Sequence, residues 1–223
     1  MRGPDPFDLG AVRTLRQRSV FVRRVEVPTL VLGSTQRALA VERDAPGSPV
    51  AVVRRRSGGG AVLLEPGRAV WMDTWVPRED ALFDDDVSSS RQWVGRWWAD
   101  ALDADGLEVH AGRPIRTPWS GLICFGGVDA GEVVRGGRKV VGVAQWRGRE
   151  GALTHSLAYL EVDWARLSAL LGLGADIPAV VGFLEARTAT VRDLGADVAE
   201  GLAARLLRRL PDPDSWRIEG ATS

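Results

Sequence analysis

Short runs of β-branched and aliphatic residues fill the first third of the chain and limit what it can fold into. Each run is bounded by Gly, Pro, Ser or Asp, as strands usually are. Five strands are therefore predicted, over Val20–Val27, Pro28–Gly33, Pro49–Arg55, Ala61–Leu64 and Ala69–Val76. A helix follows between Asp86 and Gly106, where apolar residues recur at helical spacing and Ser88–Ser90 offer N-caps.

The second half repeats this order, strands first and helices afterwards. Strands are predicted over Gly121–Phe125, Glu132–Arg135, Lys139–Trp146 and Leu153–Val162. A Gly-Gly hairpin turn spans 135–138, and helices are predicted over Trp164–Leu171, Ile177–Arg187 and Val191–Leu210. Strands followed by helices, without regular βαβ alternation, predict an α+β fold with a mixed, largely antiparallel sheet flanked by helices.

Composition sets the class of protein. With 223 residues, 45% hydrophobic and 26% charged, the chain is typical of a globular protein with one substantial core. We expect an arm over 1–18, one domain over 19–213 and a tail over 214–223. Because 29 basic residues balance 29 acidic ones, no overall field recruits nucleic acid or an anionic membrane. One cysteine, no signal peptide and no apolar span indicate a cytoplasmic protein.

A glycine-rich segment joins two of the predicted strands. It reads Arg54, Arg55, Arg56, Ser57, Gly58, Gly59, Gly60. Three consecutive glycines let backbone amides converge on one point and let a ligand approach closely, as in phosphate and carboxylate nests. A hairpin with solvated arginines would explain the same residues. The segment lacks the Lys-Ser/Thr ending of a P-loop.

Lys139 is the only lysine among the 29 basic residues. An ammonium is a compact donor, whereas a guanidinium is a wide planar fork, so a lysine kept in an arginine-rich chain indicates a specific role. A codon accident on a surface turn is the alternative. Strand alternation predicts Lys139, Val141 and Val143 on one face, with Gly142 on the other.

These residues resemble the lipoate-protein ligase and octanoyltransferase family, which shares its catalytic fold with biotin-protein ligases. The run over 54–62 is similar to the family's Arg-Arg-x-x-Gly-Gly-Gly-x-Val loop, and Lys139-x-x-Gly142-x-Ala144 is similar to its lysine strand. The segment 31–36, ending in Gln36, resembles an earlier Gly-x-x-Gln motif. His155 falls where the family often has a His-Gly pair.

The resemblance implies an activity and a set of site residues. It implies that lipoate or octanoate is activated by ATP and Mg²⁺, and that the acyl group of the adenylate then passes to a lysine of a lipoyl domain. Lys139 would be catalytic. The binding residues would be Arg54, Arg55, Ser57, Gly58, Gly59, Gly60, Ala61, Gln36, Gly142, Ala144 and His155. The partners implied are the lipoyl domains of 2-oxoacid dehydrogenase complexes or the glycine cleavage H protein. No metal ligand set is predicted within the protein.

Departures from the family pattern keep two other functions open. Leu64 and Glu65 stand where ligases commonly have His-Asp, and Ser156 replaces the Gly of the His-Gly pair. Cys124, fifteen residues before Lys139, resembles the nucleophile of cysteine-dependent octanoyltransferases, which take the acyl group from acyl carrier protein without ATP or another cofactor. A lone cysteine between Ile and Phe is also typical of a core. A non-catalytic acyl-nucleotide or carrier-protein binding module is the third hypothesis.

The sequence also predicts a meeting point. We expect the Gly58–Gly60 loop, Lys139 and Gln36 to converge on one cleft, although they are spread along the chain.

Overall fold

The computed structural model describes residues 9–36 and 49–220. In chain order the strands are β1 Ser19–Arg23, β2 Thr29–Leu32, β3 Ala51–Arg54, β4 Val62–Leu64, β5 Ala69–Pro77, β6 Leu107–Val109, β7 Val133–Arg135, β8 Arg138–Arg147, β9 Gly151–Tyr159 and β10 Arg217–Glu219. The helices are α1 Leu9–Val12, α2 Ser89–Leu102, α3 Trp164–Leu170, α4 Ile177–Arg187, α5 Ala196–Ala199 and α6 Leu202–Arg208.

The strands form two sheets. The large sheet has the order β10-β1-β5-β9-β8-β7-β6, and the small sheet has the order β3-β2-β4. Among the strand pairs of the described residues, only β1–β10 and β2–β3 run parallel, so the predicted mixed, largely antiparallel α+β fold is confirmed.

Each face of the large sheet is covered by different elements. On one face, Val141 and Val143 of β8 pack with Trp97 and Trp98 of α2 and with Leu206 of α6. On the other face, side chains of β9 pack with the small sheet and with α3 and α4. The space between the two sheets is therefore closed on both sides, and the candidate site lies there.

The helix before β6 begins differently from the prediction. Ser88 occupies the N-cap position but makes no side-chain capping bond. Asp86 acts in its place, because its Oδ1 accepts the backbone N–H of Ser89 at 2.7 Å. The helix ends at Leu102, where Asp103 adopts the left-handed conformation.

The prediction of a strand over Gly121–Phe125 is wrong. Ser120 Oγ accepts the backbone N–H of Thr117, and the amides of Leu122 and Ile123 both donate to the Trp119 carbonyl. These bonds wind the chain into turns that lead to a short 3₁₀ helix, Cys124–Gly126. Local side-chain bonds thus outweigh the β propensity of the apolar residues.

The last predicted helix is interrupted. Residues Val191–Leu194 form a 3₁₀ turn, and the following α5 and α6 are separated by Gly201, with φ of 63°. Since a left-handed residue cannot continue an α-helix, one predicted helix becomes three pieces.

Residues beyond both ends of the predicted domain, 19–213, also pack against it. Residues Arg217–Glu219 of the predicted tail pair in parallel with β1. In the predicted arm, Val12 is buried against Phe21 and Trp75, while residues 1–8 lie outside the described part of the chain. Within the described residues, the helices are too short or too polar to span a membrane.

Candidate active site

A β-bulge in β8 decides which side chains face the space between the sheets. β7 pairs Val133 with Val141 but Val134 with Lys139, so β8 carries one extra residue at position 140. Beyond the bulge, Val141 and Val143 face the α2 core. The prediction that Lys139 shares their face is wrong. A Cβ added at Gly142 would lie 3.4 Å from Lys139 Cε, so the lysine shares a face with this glycine.

Cys124 sits directly above this face. Its Sγ would lie 3.4 Å from a Cβ added at Gly142, so the missing side chain makes room for the thiol. Its backbone N–H donates to the carbonyl of Ala61 at 3.0 Å, and the Ala61 N–H donates to Leu122 O at 2.7 Å. These two bonds join the cysteine turn to the end of the glycine loop. The thiol is half-buried and free.

The ammonium of Lys139 is held below the cysteine by three strong acceptors. Nζ lies 2.7 Å from Glu132 Oε1, 2.8 Å from the carbonyl O of Cys124 and 3.2 Å from Gly127 O. It also lies 3.9 Å from Cys124 Sγ. The three N–H bonds of the ammonium are therefore used by oxygens, and its interaction with sulfur is mainly one of charge.

Glu132 is buried and fully bonded. Its Oε1 accepts from Lys139 and from the N–H of Val143 at 3.1 Å, and its Oε2 accepts from the N–H of Asp129 at 2.8 Å. Burial raises the pKa of Glu132, although Lys139 acts against this. Burial alone would lower the pKa of Lys139, but the nearby Cys124 thiolate and Glu132 carboxylate outweigh it and raise that pKa.

The glycine loop is fastened to Arg55. The Nη2 of this buried arginine donates to Gly58 O at 2.8 Å and to Gly60 O at 2.9 Å. Gly59 adopts φ of 96°, and a Cβ there would approach the Arg55 guanidinium to 2.9 Å. A Cβ at Gly60 would lie 2.6 Å from Cys124 N. Glycine is thus required where the loop contacts the arginine and the cysteine.

Two predicted binding residues, Gln36 and Arg54, support the loops. Gln36 Oε1 accepts the N–H of Gly33, and its Nε2 donates to Leu122 O at 3.0 Å. Arg54 donates to the carbonyls of Gly33 and Gln36. Ser57 is buried and its carbonyl accepts the N–H of Ser34 at 3.0 Å. The Gln36 and Arg54 side chains and the Ser57 carbonyl hold the segments that approach Cys124, and none of these three residues lines either cavity described below.

An apolar cavity of about 40 Å³ opens beside Cys124, between the two sheets. Its wall contains predicted site residues from β8 and β9 together with aliphatic and aromatic side chains. It is lined by Val31, Arg55, Val62, Leu64, Trp71, Cys124, Gly142, Ala144, His155 and Leu157. Such a lining suits an aliphatic chain.

A polar cavity of about 280 Å³ lies on the other side of Cys124. Glycine-loop residues and charged side chains form most of its wall. It is lined by Arg55, Gly58, Gly59, Gly60, Arg91, Arg116, Ser120, Cys124, Gly127, Asp129, Glu132, Val143, Ala144 and Gln145. Arg55, Cys124 and Ala144 line both cavities. The thiol therefore stands where an apolar and a polar compartment meet.

His155 belongs to a buried ionic cluster behind the apolar cavity. Its Nδ1 lies 2.7 Å from Asp73 Oδ1, which also accepts from Trp71 Nε1, and Asp73 Oδ2 accepts from Arg23 Nε at 2.8 Å. An ionised carboxylate can only accept, so Nδ1 carries the proton. Burial opposes the ionisation of Asp73, but His155 and Arg23 outweigh it and hold the pKa of Asp73 below its usual range.

Sequence reasoning missed Glu132, Asp73 and the polar-cavity pair Arg116–Asp129, joined at 2.9 Å. Asp73 lies directly opposite His155 in the β5–β9 ladder, so the pair becomes visible once strand register is known. Glu132 lies two residues before Val134, which is paired with Lys139 in the β7–β8 ladder. No local motif signals these contacts.

The departures from the ligase motif have a structural use. Leu64 lines the apolar cavity. Glu65 is nearly buried, and its Oε1 accepts from Arg166 Nη1 at 2.5 Å, which ties the end of β4 to α3. Ser156 donates to Met72 O at 2.9 Å across the β5–β9 ladder.

The fold is that of lipoyl-ligase-type catalytic domains. The family model of the lipoyl protein ligase A/B catalytic domain matches residues 11–199, and the chain belongs to that family.

Relatives and solved structures agree with this assignment. The chain is 30% identical to octanoyltransferase LipM of Bacillus cereus over 62% of this chain and 52% of that protein. It is 32% identical to octanoyltransferase LipM of Kyrpidia tusciae over 67% and 57%. It thus spans little more than half the length of these relatives.

The structural neighbours show the same fold at low sequence identity. A bipartite lipoate protein ligase from Thermoplasma acidophilum, studied with its E2 lipoyl domain, superposes with a TM-score of 0.69 at 17% identity, covering 98% of this chain and 80% of that one. Lipoate-protein ligase A bound with ATP superposes with a TM-score of 0.66 at 20% identity, covering 98% and 82%.

Proposed function

We propose that the protein transfers an octanoyl or similar aliphatic acyl group to a lysine of a lipoyl domain through a thioester on Cys124. The observation that carries this proposal is the position of the thiol at the junction of an apolar and a polar cavity, above a buried ammonium. The names of the curated relatives, octanoyltransferases, support the same reaction.

The first half of the reaction loads the enzyme. The thiolate of Cys124 attacks the carbonyl carbon of an octanoyl thioester of acyl carrier protein, and a new C–S bond forms. The oxyanion then collapses, the original C–S bond breaks, and the carrier's thiol leaves as a thiolate that takes up a proton. The acyl chain occupies the apolar cavity, and the carrier's arm approaches through the polar one.

In the second half of the reaction, the acyl group passes from Cys124 to the acceptor. The neutral ε-amine of the acceptor lysine attacks the octanoyl-Cys124 carbonyl, a C–N bond forms and the C–S bond to Cys124 breaks. The amine gives up one proton and the thiolate is regenerated. The acyl group passes from one thioester to another and then to an amide. Because the carrier thioester is already activated, neither step needs a nucleotide.

Mass spectrometry of the intact protein tests this proposal. Wild-type protein mixed with octanoyl carrier protein should gain one octanoyl group, and a lipoyl domain added afterwards should remove it and become octanoylated. Cys124→Ala should do neither. Because Cys124 is the only cysteine of the chain, the adduct identifies the residue. Transfer by Cys124→Ala at the wild-type rate would contradict the cysteine mechanism.

ATP-dependent ligation is the second candidate. The polar cavity beside the Gly58–Gly60 loop favours it, because backbone amides of the loop and Arg55 suit the phosphate of an acyl-adenylate. ATP and Mg²⁺ would then supply activation, and Lys139 would lie near the phosphate and the acyl carbonyl. Octanoate with ATP and Mg²⁺, but no carrier protein, should then label the lipoyl domain even in Cys124→Ala.

The acceptor in both cases is a lipoyl domain. One solved neighbour was studied with its E2 lipoyl domain, which supports this partner, and the glycine cleavage H protein is a second acceptor to assay. The protein is proposed to work in the cytoplasm, where both classes of acceptor would be available to it.

A further inference from the structure

Two buried cations lie close to Cys124, and they differ in how their charge is balanced. Lys139 forms an ion pair with the carboxylate of Glu132 at 2.7 Å, and both side chains are about 2–3% exposed. Together the two side chains carry no net charge. The ammonium lies 3.9 Å from Cys124 Sγ and attracts a thiolate, but Glu132 opposes part of that attraction.

Arg55 has no such partner. It is 4% exposed, and within residues 9–36 and 49–220 its guanidinium is bonded only to the carbonyls of Gly58 and Gly60. Its buried Nε–H has no acceptor there. A buried cation without a counter-ion is costly, so its presence calls for an anion that forms during function.

The geometry brings Arg55 to the thiol. Gly60 O accepts from Arg55, and Gly60 itself packs against the backbone N of Cys124. Arg55 and Cys124 line both the apolar and the polar cavity. Burial lowers the pKa of Arg55, and negative charge on Cys124 acts in the opposite direction.

We propose that Arg55, in addition to Lys139, supplies the positive charge that stabilises Cys124 as a thiolate. The charges of Arg55, Lys139 and Glu132 add to one positive charge, which a thiolate neutralises. This assignment deepens the proposed function and rests on the proposed role of Cys124 as nucleophile. Lys139 remains a donor that fixes the Cys124 and Gly127 carbonyls around the thiol.

The same balance affects both halves of the transfer. Once Cys124 is acylated its negative charge is gone, and Arg55 is again uncompensated. A positive charge then favours the oxyanion of each tetrahedral intermediate, in loading and in unloading. Arg55 would thus act twice in each cycle.

Other groups that could affect the pH dependence face the cysteine as well. They are Lys139 and Glu132 beneath it, Tyr159 of β9, His155 across the apolar cavity, and Asp129, Arg116 and Arg91 across the polar cavity. The test therefore compares variants of single residues under identical conditions.

The test is the pH profile of alkylation of Cys124 by iodoacetamide. This reagent is neutral, and the chain has one thiol, so the rate reports the thiolate at a single position. In Arg55→Gln we expect alkylation about tenfold slower near pH 7, with the wild-type rate recovered near pH 10. The reason is that raising the pKa of the thiol by about one unit lowers the fraction of thiolate about tenfold. Arg55→Lys, which keeps the charge, should fall by no more than about threefold.

The neighbouring Arg56 is exposed and provides the matched control. Arg56→Gln should follow the wild-type profile. Unfolding midpoints measured for each variant identify any that fail to fold. If Arg55→Gln is one of them, Arg55→Met, which also removes the charge, takes its place in the comparison. An unchanged profile in folded Arg55→Gln, or one slowed equally at every pH, overturns the assignment in favour of access or packing.

This outcome is separable from that of the proposed function. A profile that depends on Arg55 in a protein unable to transfer octanoyl groups would support the charge assignment and contradict the proposed reaction. A profile independent of Arg55, with Cys124-dependent transfer intact, would contradict the charge assignment and support the proposed reaction.

Discussion

The two cavities that meet at Cys124 are built in different ways. The apolar cavity lies between two sheets, and most of its wall comes from strand residues whose partners are fixed by ladder hydrogen bonds. The polar cavity lies among turns, and its wall comes mostly from the glycine loop and from residues 116–132. Strands therefore determine what is buried, and loops determine what is bound through charge.

The apolar and polar cavities also differ in volume. At about 40 Å³ the apolar cavity has room for about three waters, taking about 10–15 Å³ for each, whereas the polar cavity has about 280 Å³. An octanoyl chain thus needs side chains such as Leu157 or Leu64 to move, while a polar group enters the other compartment directly.

The largest expected effect concerns the wall behind the apolar cavity. Asp73→Asn removes the carboxylate that Arg23 and His155 share, and should cost about 3–5 kcal/mol in the free energy of unfolding, measured by urea denaturation. The exposed Asp100→Asn should change it by less than about 0.5 kcal/mol. A loss below 1 kcal/mol in Asp73→Asn would mean that this wall does not depend on the cluster.

The same cluster predicts a dependence on pH. Because the folded state holds the pKa of Asp73 below its unfolded value of about 3.9, its contribution to stability is present above that pH and is lost as the pH falls below it. The free energy of unfolding of the wild type, measured by urea denaturation, should therefore fall more steeply between about pH 4 and pH 2 than that of Asp73→Asn.

The second effect concerns Lys139, which is bonded to the Cys124 carbonyl and lines neither cavity. Lys139→Arg should lower acyl transfer by about 10²–10³ while the protein stays folded, because a planar fork cannot reproduce three bonds from one point to Glu132 and two carbonyls. Rates are measured from the mass of the lipoyl domain. Transfer near the wild-type rate would show that charge alone is needed there.

The third effect belongs to the apolar cavity alone. Leu157→Phe fills space next to Gly142 and Trp71, so octanoyl transfer should fall at least about tenfold more than butyryl transfer, at about 1–3 kcal/mol for each methylene displaced. The ratio of the two rates is the measurement, and the short substrate serves as the control. An unchanged ratio would place the acyl chain elsewhere.

The smallest effect belongs to the polar cavity. Arg116 is 61% exposed and pairs with Asp129, so Arg116→Gln should raise KM for an octanoyl carrier protein about threefold, with little change for a small octanoyl thioester. Arg113→Gln, also exposed but outside the cavity, is the matched control. Equal KM values for Arg116→Gln and the wild type would remove this arginine from donor binding.

Strand positions were predictable from the sequence because β-branched runs and glycine punctuation are local signals. The Gly136–Gly137 turn is one example, since both glycines have positive φ, at 55° and 76°, and join β7 to β8 as expected. The turn before Cys124 was not predictable, because its shape depends on bonds from Thr117 and Ser120 that override an apolar run.

Motifs located most of the candidate site but not its electrostatics. The glycine loop and the lysine strand were visible as residue patterns. Whether a buried charge is balanced depends on which strands lie side by side. No spacing along the chain shows that Lys139 pairs with Glu132, while Arg55 is bonded only to carbonyls in the described part of the chain.

The extra residue at position 140 also explains why the lysine motif has its uneven spacing. In a regular strand, Lys139 and Gly142 would point to opposite sides, and only the bulge lets a three-residue step be followed by a two-residue step on one side. Deleting Val140 would preserve every other residue yet exchange the two sides of β8 beyond it. Valines would then enter the compartments around Cys124, and Gly142 and Ala144 would face α2. The whole site thus depends on which residues of β8 point to which side. Insertions and deletions in this strand should therefore be tolerated far less than substitutions.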